Sequence, residues 1–157
     1  MIRAFLLAVL AFAALGLGAP AAAQNREVPY WATLKVDQAN MRVGPGSEYR
    51  ISWVYRRVGL PLKVVRRTSG WRLVEDPDGT RGWMVARFLK TDRSAVVVGE
   101  GLADIRSQPT DDSQLLWRAE PGVVGLLGDC RDGWCVLTMG ERTGWVGEAR
   151  LWGAGEP

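Results

Sequence analysis

Side chains able to do covalent or acid–base chemistry are scarce in this chain. Among 157 residues there is no histidine, which removes imidazole general bases and His-ligated metal sites. The only thiols are Cys130 and Cys135, flanking Arg131-Asp132-Gly133-Trp134. In an oxidising compartment the default for two such cysteines is a disulfide, which would remove both as nucleophiles. The alternative is a metal or redox pair, but a metal wants three or four ligands and no third cysteine exists. Close carboxylates occur at Asp76/Asp78 and Asp111/Asp112. Both pairs sit in turn-like surroundings, where Asp routinely caps the backbone. No Gly-x-Ser-x-Gly, P-loop or dinucleotide fingerprint is present. The expectation is a chain with no catalytic residue, no metal and no cofactor. A lone-Ser or Ser–Lys hydrolase remains the enzymatic alternative.

Aromatic surface carries what signal is left. Six of the eight Trp fall into pairs: Trp53/Trp117, Trp71/Trp134 and Trp83/Trp145. The pairs arise from an internal repeat, the strongest organising signal a single sequence offers. Its centre is the stretch Gly70 to Val85. Trp71–Glu75 and Arg81–Val85 are Trp-, Leu- and Val-rich runs joined by Asp76-Pro77-Asp78-Gly79. Pro presets φ and Gly supplies a positive φ, so this reads as a β-hairpin. The phrase recurs as Gly133-Trp134-Cys135-Val136-Leu137, then Gly144-Trp145-Val146. Further strands are expected at Tyr30–Val36, Ile51–Val58, Leu62–Arg67 and Ala95–Val98, with a loop from Asn40 to Gly46 and one helical turn near Val85–Leu89. No stretch holds an apolar helical period over three turns. The fold class is therefore all-β: two small barrels, each closed by five or six short strands so that no edge is exposed. In such barrels Trp53, Trp83, Trp117 and Trp145 are expected to fill the cores, and Trp71 and Trp134 to be partly exposed.

Arg3, the apolar run Ala4–Gly18 and Ala21-Ala22-Ala23 form a signal peptide pattern, with cleavage expected after Ala23. The run is short of the ~20 residues a membrane-spanning helix needs. No stable membrane insertion is expected after cleavage, and the protein should be periplasmic or secreted. Residues 24–32 are expected to be a flexible segment, 33–90 the first repeat and 95–153 the second. Charge divides between them. Residues 33–90 hold 12 Lys+Arg and 5 Asp+Glu, net +7; residues 91–157 hold 6 and 11, net −5. The halves are thus able to attract each other, or the first to meet an anionic partner. The plain alternative is solvated strand faces. Nucleic acid is not an expected partner for an exported chain of near-balanced charge.

Asn40-x-Arg42-x-Gly44-Pro45-Gly46, Gly70-Trp71-x-x-Val74 and Gly82-Trp83 followed by Leu89 resemble the bacterial SH3-like (SH3b) domain. The second copy resembles it through Ile105-Arg106-Ser107, Pro109, Gly133-Trp134 and Gly144-Trp145, with Gln108 where Gly44 would fall. The resemblance implies tandem SH3-like barrels and an exported binding module near the cell wall. It also implies that an aromatic opening the hairpin lines a groove. On that basis Trp71, Trp134, Tyr49, Phe88, Arg42 and Arg72 are the candidate ligand-binding residues. The expected partner is cell-wall glycan or peptide, or an envelope protein held by a scaffold with no small ligand.

Overall fold

The computed structural model describes residues 26–157; the expected signal peptide lies outside them. The first unit contains β1 (Tyr30–Leu34), β2 (Ala39–Arg42), β3 (Ile51–Tyr55), β4 (Pro61–Thr68), β5 (Trp71–Glu75), β6 (Arg81–Val85), a 3-10 turn at Ala86–Phe88 and β7 (Leu89–Lys90). The second contains β8 (Ser94–Val97), β9 (Ala103–Arg106), β10 (Leu115–Ala119), β11 (Val124–Arg131), β12 (Trp134–Met139), β13 (Arg142–Gly147), a 3-10 turn at Glu148–Arg150 and β14 (Leu151–Trp152).

Each unit is one seven-stranded sheet, in the order β3-β2-β6-β5-β4-β1-β7 and, identically, β10-β9-β13-β12-β11-β8-β14. The expected closure into five- or six-stranded barrels does not occur. The end strands explain why. β7 is two residues long and spends both on β1. β3 buries only Tyr55 and leaves Ile51, Ser52 and Trp53 exposed, so it stands off as an arm. The segment Ala39–Arg42, expected to break into a loop at Asn40, is strand β2: Ala39 and Met41 face the core and alternate with Asn40 and Arg42.

None of Trp53, Trp83, Trp117 and Trp145 is among the buried residues that fill the two cores, although Trp117 packs against the second. Leu34, Met41, Leu62, Val64, Val74 and Met84 fill the first; Val97, Ile105, Leu137 and Val146 fill the second. Trp83 and Trp145 are half-buried on the outer face, Trp117 is half-buried, and Trp53 is 58% exposed. This corrects the expectation of four core indoles. The cause is strand parity. In β6 Gly82 and Met84 point inward, so Trp83 must point outward. Gly82 faces in because Met41 passes over it: a Cβ there would lie 2.4 Å from Met41 Cγ. Gly144 plays the same part under Ile105, at 2.4 Å from Cγ2. The Gly of each Gly-Trp step thus makes room for the core, and the Trp is left outside it.

The strand expected from Tyr30 is observed as β1; it takes in residues 30–32 of the segment expected to be flexible, and Trp31 is buried. Its ring meets Trp152 edge to face at 4.7 Å, and its Nε1 donates to Gly155 O at 3.0 Å. Trp31 thereby ties the start of the first unit to the end of the second. Beside it, Thr33 Oγ1 donates to Asp92 O at 2.5 Å and accepts from Ser94 Oγ at 2.7 Å, both hydroxyls being buried. Val124 packs against the first core, and Arg57 donates to Gly122 O. The units therefore dock through apolar contacts and hydrogen bonds. Among the described residues the ion pairs lie within a unit or, as Lys90–Asp92, in the connection; the opposite net charges make no direct bridge.

Candidate functional site

The two hairpins set the ladder positions of the candidate aromatics. Trp71 sits opposite Val85 and Thr68, while Trp134 sits opposite Gly147 and Arg131. The turn before Trp134 is Asp132-Gly133, with φ of 53° and 78°. Two consecutive positive φ values are the mark of a type I′ hairpin, which suits the strand twist. Cys130 and Cys135 face each other across this ladder and form a disulfide, with Cα atoms 4.0 Å apart. Cys135 is buried in the second core, so the bridge fixes the root of the strand on which Trp134 stands.

Trp134 lines a groove of about 420 Å³ with Asp104, Arg106, Asp111, Gly147 and Arg150 among its walls. Gly147 has φ −58°, an ordinary strand value, and a Cβ there would meet nothing within 4 Å. Its missing side chain is what leaves the indole flank open. Arg150 holds the opposite wall: Nε donates to Val98 O at 2.8 Å and Nη2 to Gly101 O at 2.8 Å. Arg106 Nη1 donates to Ser113 O at 2.8 Å, and Nη2 to Asp104 Oδ2 at 3.0 Å. Its Nε is buried without a partner. Arg118 donates to Asp104 Oδ1 at 2.9 Å. That bond, with the charges of Arg118 and Arg106, holds the Asp104 carboxyl below its usual range, so it is an anion at neutral pH. The groove thus offers a half-buried indole beside a fixed set of charges of both signs.

The candidate residues of the first unit do not gather in one cavity. Arg42 Nη1 donates to Tyr49 O at 2.5 Å, clasping the loop between β2 and β3 just as Arg106 clasps its counterpart. Tyr49 itself is exposed, with its ring over Gly44. Arg72 Nε donates to Tyr30 Oη at 3.0 Å and Nη1 to Trp71 O at 2.8 Å. Both guanidinium groups thus make hydrogen bonds inside the unit. Phe88 packs on the first core beneath Arg87, whose Cζ is 5.3 Å from the ring centre. A small cavity of about 160 Å³ beside Arg72 is lined by Tyr30 and Leu89 but by none of Trp71, Tyr49 or Phe88.

Sequence reasoning missed a cleft of about 680 Å³ between the units. One wall carries Trp53, Arg57, Asp78 and Thr80; the other is Val96–Gly99 with Pro121 and Gly122. At its base Asp76 accepts from Asp78 N at 3.0 Å, Thr80 N at 2.8 Å and Tyr55 Oη at 2.7 Å. Burial, then the bond to Asp76, pushes the Tyr55 hydroxyl far above the usual phenol range, so it remains a donor. The Asp76-Pro77-Asp78-Gly79 turn is therefore a bonded floor, in line with Asp as a cap. A signal for Trp53 was available: it stands two residues before Tyr55 on the same strand face, one step beyond the rim of the core.

A family model for the bacterial SH3 domain matches residues 35–90 and again 99–153. The chain belongs to the bacterial SH3 domain family. Over 125 residues it is 23% identical to YrvJ of Bacillus subtilis (strain 168), which carries the name of an N-acetylmuramoyl-L-alanine amidase. That match takes in 73% of this chain and 24% of the relative, so the chain spans about a quarter of the curated protein it matches. Solved structures with similarity include NlpC2 of Trichomonas vaginalis, at 13% identity and TM-score 0.37 over 81% of this chain and 49% of that one. Another is an NlpC/P60 family protein of Bacillus cereus, at 15% identity and TM-score 0.33 over 78% and 55%. Among the described residues no helix is long and apolar enough to cross a membrane.

Proposed function

We propose that this chain is a non-catalytic binding module of the cell envelope that holds cell-wall peptide or glycan through indole surfaces, foremost the Trp134 groove. The observation that carries this reading is the groove itself: a half-buried Trp stands beside a side-chain gap at Gly147, over a strand stapled by a disulfide. A preformed aromatic surface costs little ordering entropy on binding. Membership of the bacterial SH3 domain family and the partial match to a protein named as an N-acetylmuramoyl-L-alanine amidase support the substrate class. The signal peptide pattern supports export to the periplasm or beyond.

The test is co-sedimentation with purified peptidoglycan sacculi. Wild type should pellet with the sacculi and Trp134→Ala should stay largely in the supernatant, with unchanged far-ultraviolet circular dichroism. Equal retention of the two, or no retention of either, refutes the proposal.

A further inference from the structure

The cleft between the units is not the Trp134 groove, and its chemistry is of another kind. Trp53 stands at its mouth 58% exposed, the most exposed large hydrophobic side chain among the described residues. An indole so placed has no role in the core; its flat face is presented to whatever enters. Around it stand a cation, Arg57, an anion, Asp78, and a hydroxyl, Thr80. Arg57 spends Nη1 on Gly122 O, and its guanidinium carries further N–H donors. The Asp78 carboxylate and the Thr80 hydroxyl make no side-chain hydrogen bond among the described residues; the bonds of these two residues run through their backbones, to Asp76. The far wall ends in Gly99 and Gly122, at φ 86° and 87°.

We propose that this cleft is a glycan subsite, taking a short segment of a polysaccharide chain with one sugar ring stacked on Trp53. A sugar presents an apolar C–H face and a rim of hydroxyls that both donate and accept. That matches a flat indole ringed by one donor cation, one acceptor anion and one hydroxyl. The volume of about 680 Å³ lies within the ~300–1,000 Å³ usual for small-molecule sites, which favour domain interfaces. An extended peptide is less well served. β8 forms the far wall and is paired on both edges, with β11 and β14, so it offers no strand edge to extend. Because both units supply walls, the subsite exists only in the docked tandem.

The inference rests on the wall-binding reading for its ligand class, and the experiment separates the two. Soluble β-linked N-acetylglucosamine oligomers and a free wall-type tetrapeptide are titrated, by calorimetry, into wild type, Trp53→Ala and Trp134→Ala. Sacculus sedimentation is run in parallel. The expected result is oligosaccharide binding that weakens about tenfold or more in Trp53→Ala and by less in Trp134→Ala. Asp78→Asn should weaken it in the same direction by less. Oligosaccharide binding that survives Trp53→Ala overturns the subsite, as does loss through Trp134→Ala alone. Tetrapeptide binding lost in Trp53→Ala would make the cleft a peptide site and equally overturn it. If wild type pellets with sacculi but ignores the oligosaccharide, the subsite falls and the wall-binding reading stands. If it does neither, both fall. Trp53 is exposed, so its truncation leaves both cores intact.

Discussion

Trp71 and Trp134 hold the same place in two copies of one hairpin, but the copies have diverged around them. Across the ladder from Trp71 is Val85; across from Trp134 is Gly147. At the turn, the first copy has Ser69-Gly70 with only the glycine at positive φ, while the second has Asp132-Gly133 with both. The second copy adds the Cys130–Cys135 bridge; in the first, Arg67 pairs with Arg72 and carries no crosslink. The pattern of change is consistent: the second unit gives up side-chain volume beside its indole and gains a covalent brace below it. The first unit keeps the volume and spends Arg72 on holding Tyr30 and the strand ends. The two copies keep the sheet order strand for strand, while the surface beside the hairpin differs.

The largest expected effect comes from the glycines beneath the outward Trp. Gly144→Ala forces a methyl against Ile105 Cγ2, a β-branched side chain fixed in rotamer. It should cost about 2–3 kcal/mol of unfolding free energy. Gly82→Ala meets Met41, whose flexible thioether can swing away, and should cost about 1–2 kcal/mol. Urea unfolding of the two variants gives the order; a Gly82→Ala penalty equal to or above that of Gly144→Ala would break the comparison.

Next is the crosslink, present in one copy only. It closes a sequence separation of 5 residues, and a loop so short stabilises by about 2 kcal/mol. Reduction with dithiothreitol, or the Cys130→Ala/Cys135→Ala pair, should lower the midpoint of the second unit and leave the first near its original value. Hydrogen exchange resolves the two; a uniform loss of protection would contradict the assignment.

The smallest effect is electrostatic. Each unit carries one carboxylate clasped by two cations: Glu75 by Lys63 and Arg81, Asp104 by Arg118 and Arg106. The hydrogen bond from Lys63, then that from Arg81, lowers the Glu75 carboxyl; the bond from Arg118 leads in lowering Asp104. A depressed folded value means stability fully present above the unfolded value and lost as pH falls through the folded one. Unfolding free energy should therefore be flat from neutral down to about pH 5 and decline below it. These solvent-screened pairs contribute below ~1 kcal/mol each. Glu75→Gln and Asp104→Asn should each flatten part of that acid limb; an unaltered limb in both would remove the clasps from the account.

The repeat, the hairpin turn at Asp76–Gly79 and the pairing of the cysteines were legible from residue type and spacing, because turn chemistry and covalent partners are local. The destination of the indoles was not. Hydrophobicity alone sends Trp53, Trp83, Trp117 and Trp145 inward, whereas the inward places belong to Met41, Met84, Ile105 and Val146 by parity with their neighbours. Reading Gly82 and Gly144 as inward positions, rather than as loop residues, would have turned Trp83 and Trp145 outward. The start of β1 at Tyr30 was legible as well, but the burial of Trp31 and the cleft beside Trp53 were not, for a different reason. Both depend on how the units dock: Trp31 finds Trp152 and Gly155, more than a hundred residues away in the chain, only once both sheets exist. Arg42 and Arg72 looked free because a sequence does not show the carbonyls of Tyr49 and Trp71 that occupy them.

The most direct test of the divergence is one substitution, Gly147→Val, which gives the second hairpin the cross-strand neighbour of the first. The backbone at Gly147 accepts any side chain and a Cβ there is unobstructed, so stability should move by less than ~0.5 kcal/mol. The account predicts that retention on peptidoglycan sacculi falls at least about tenfold in this folded variant. Retention equal to wild type would contradict it.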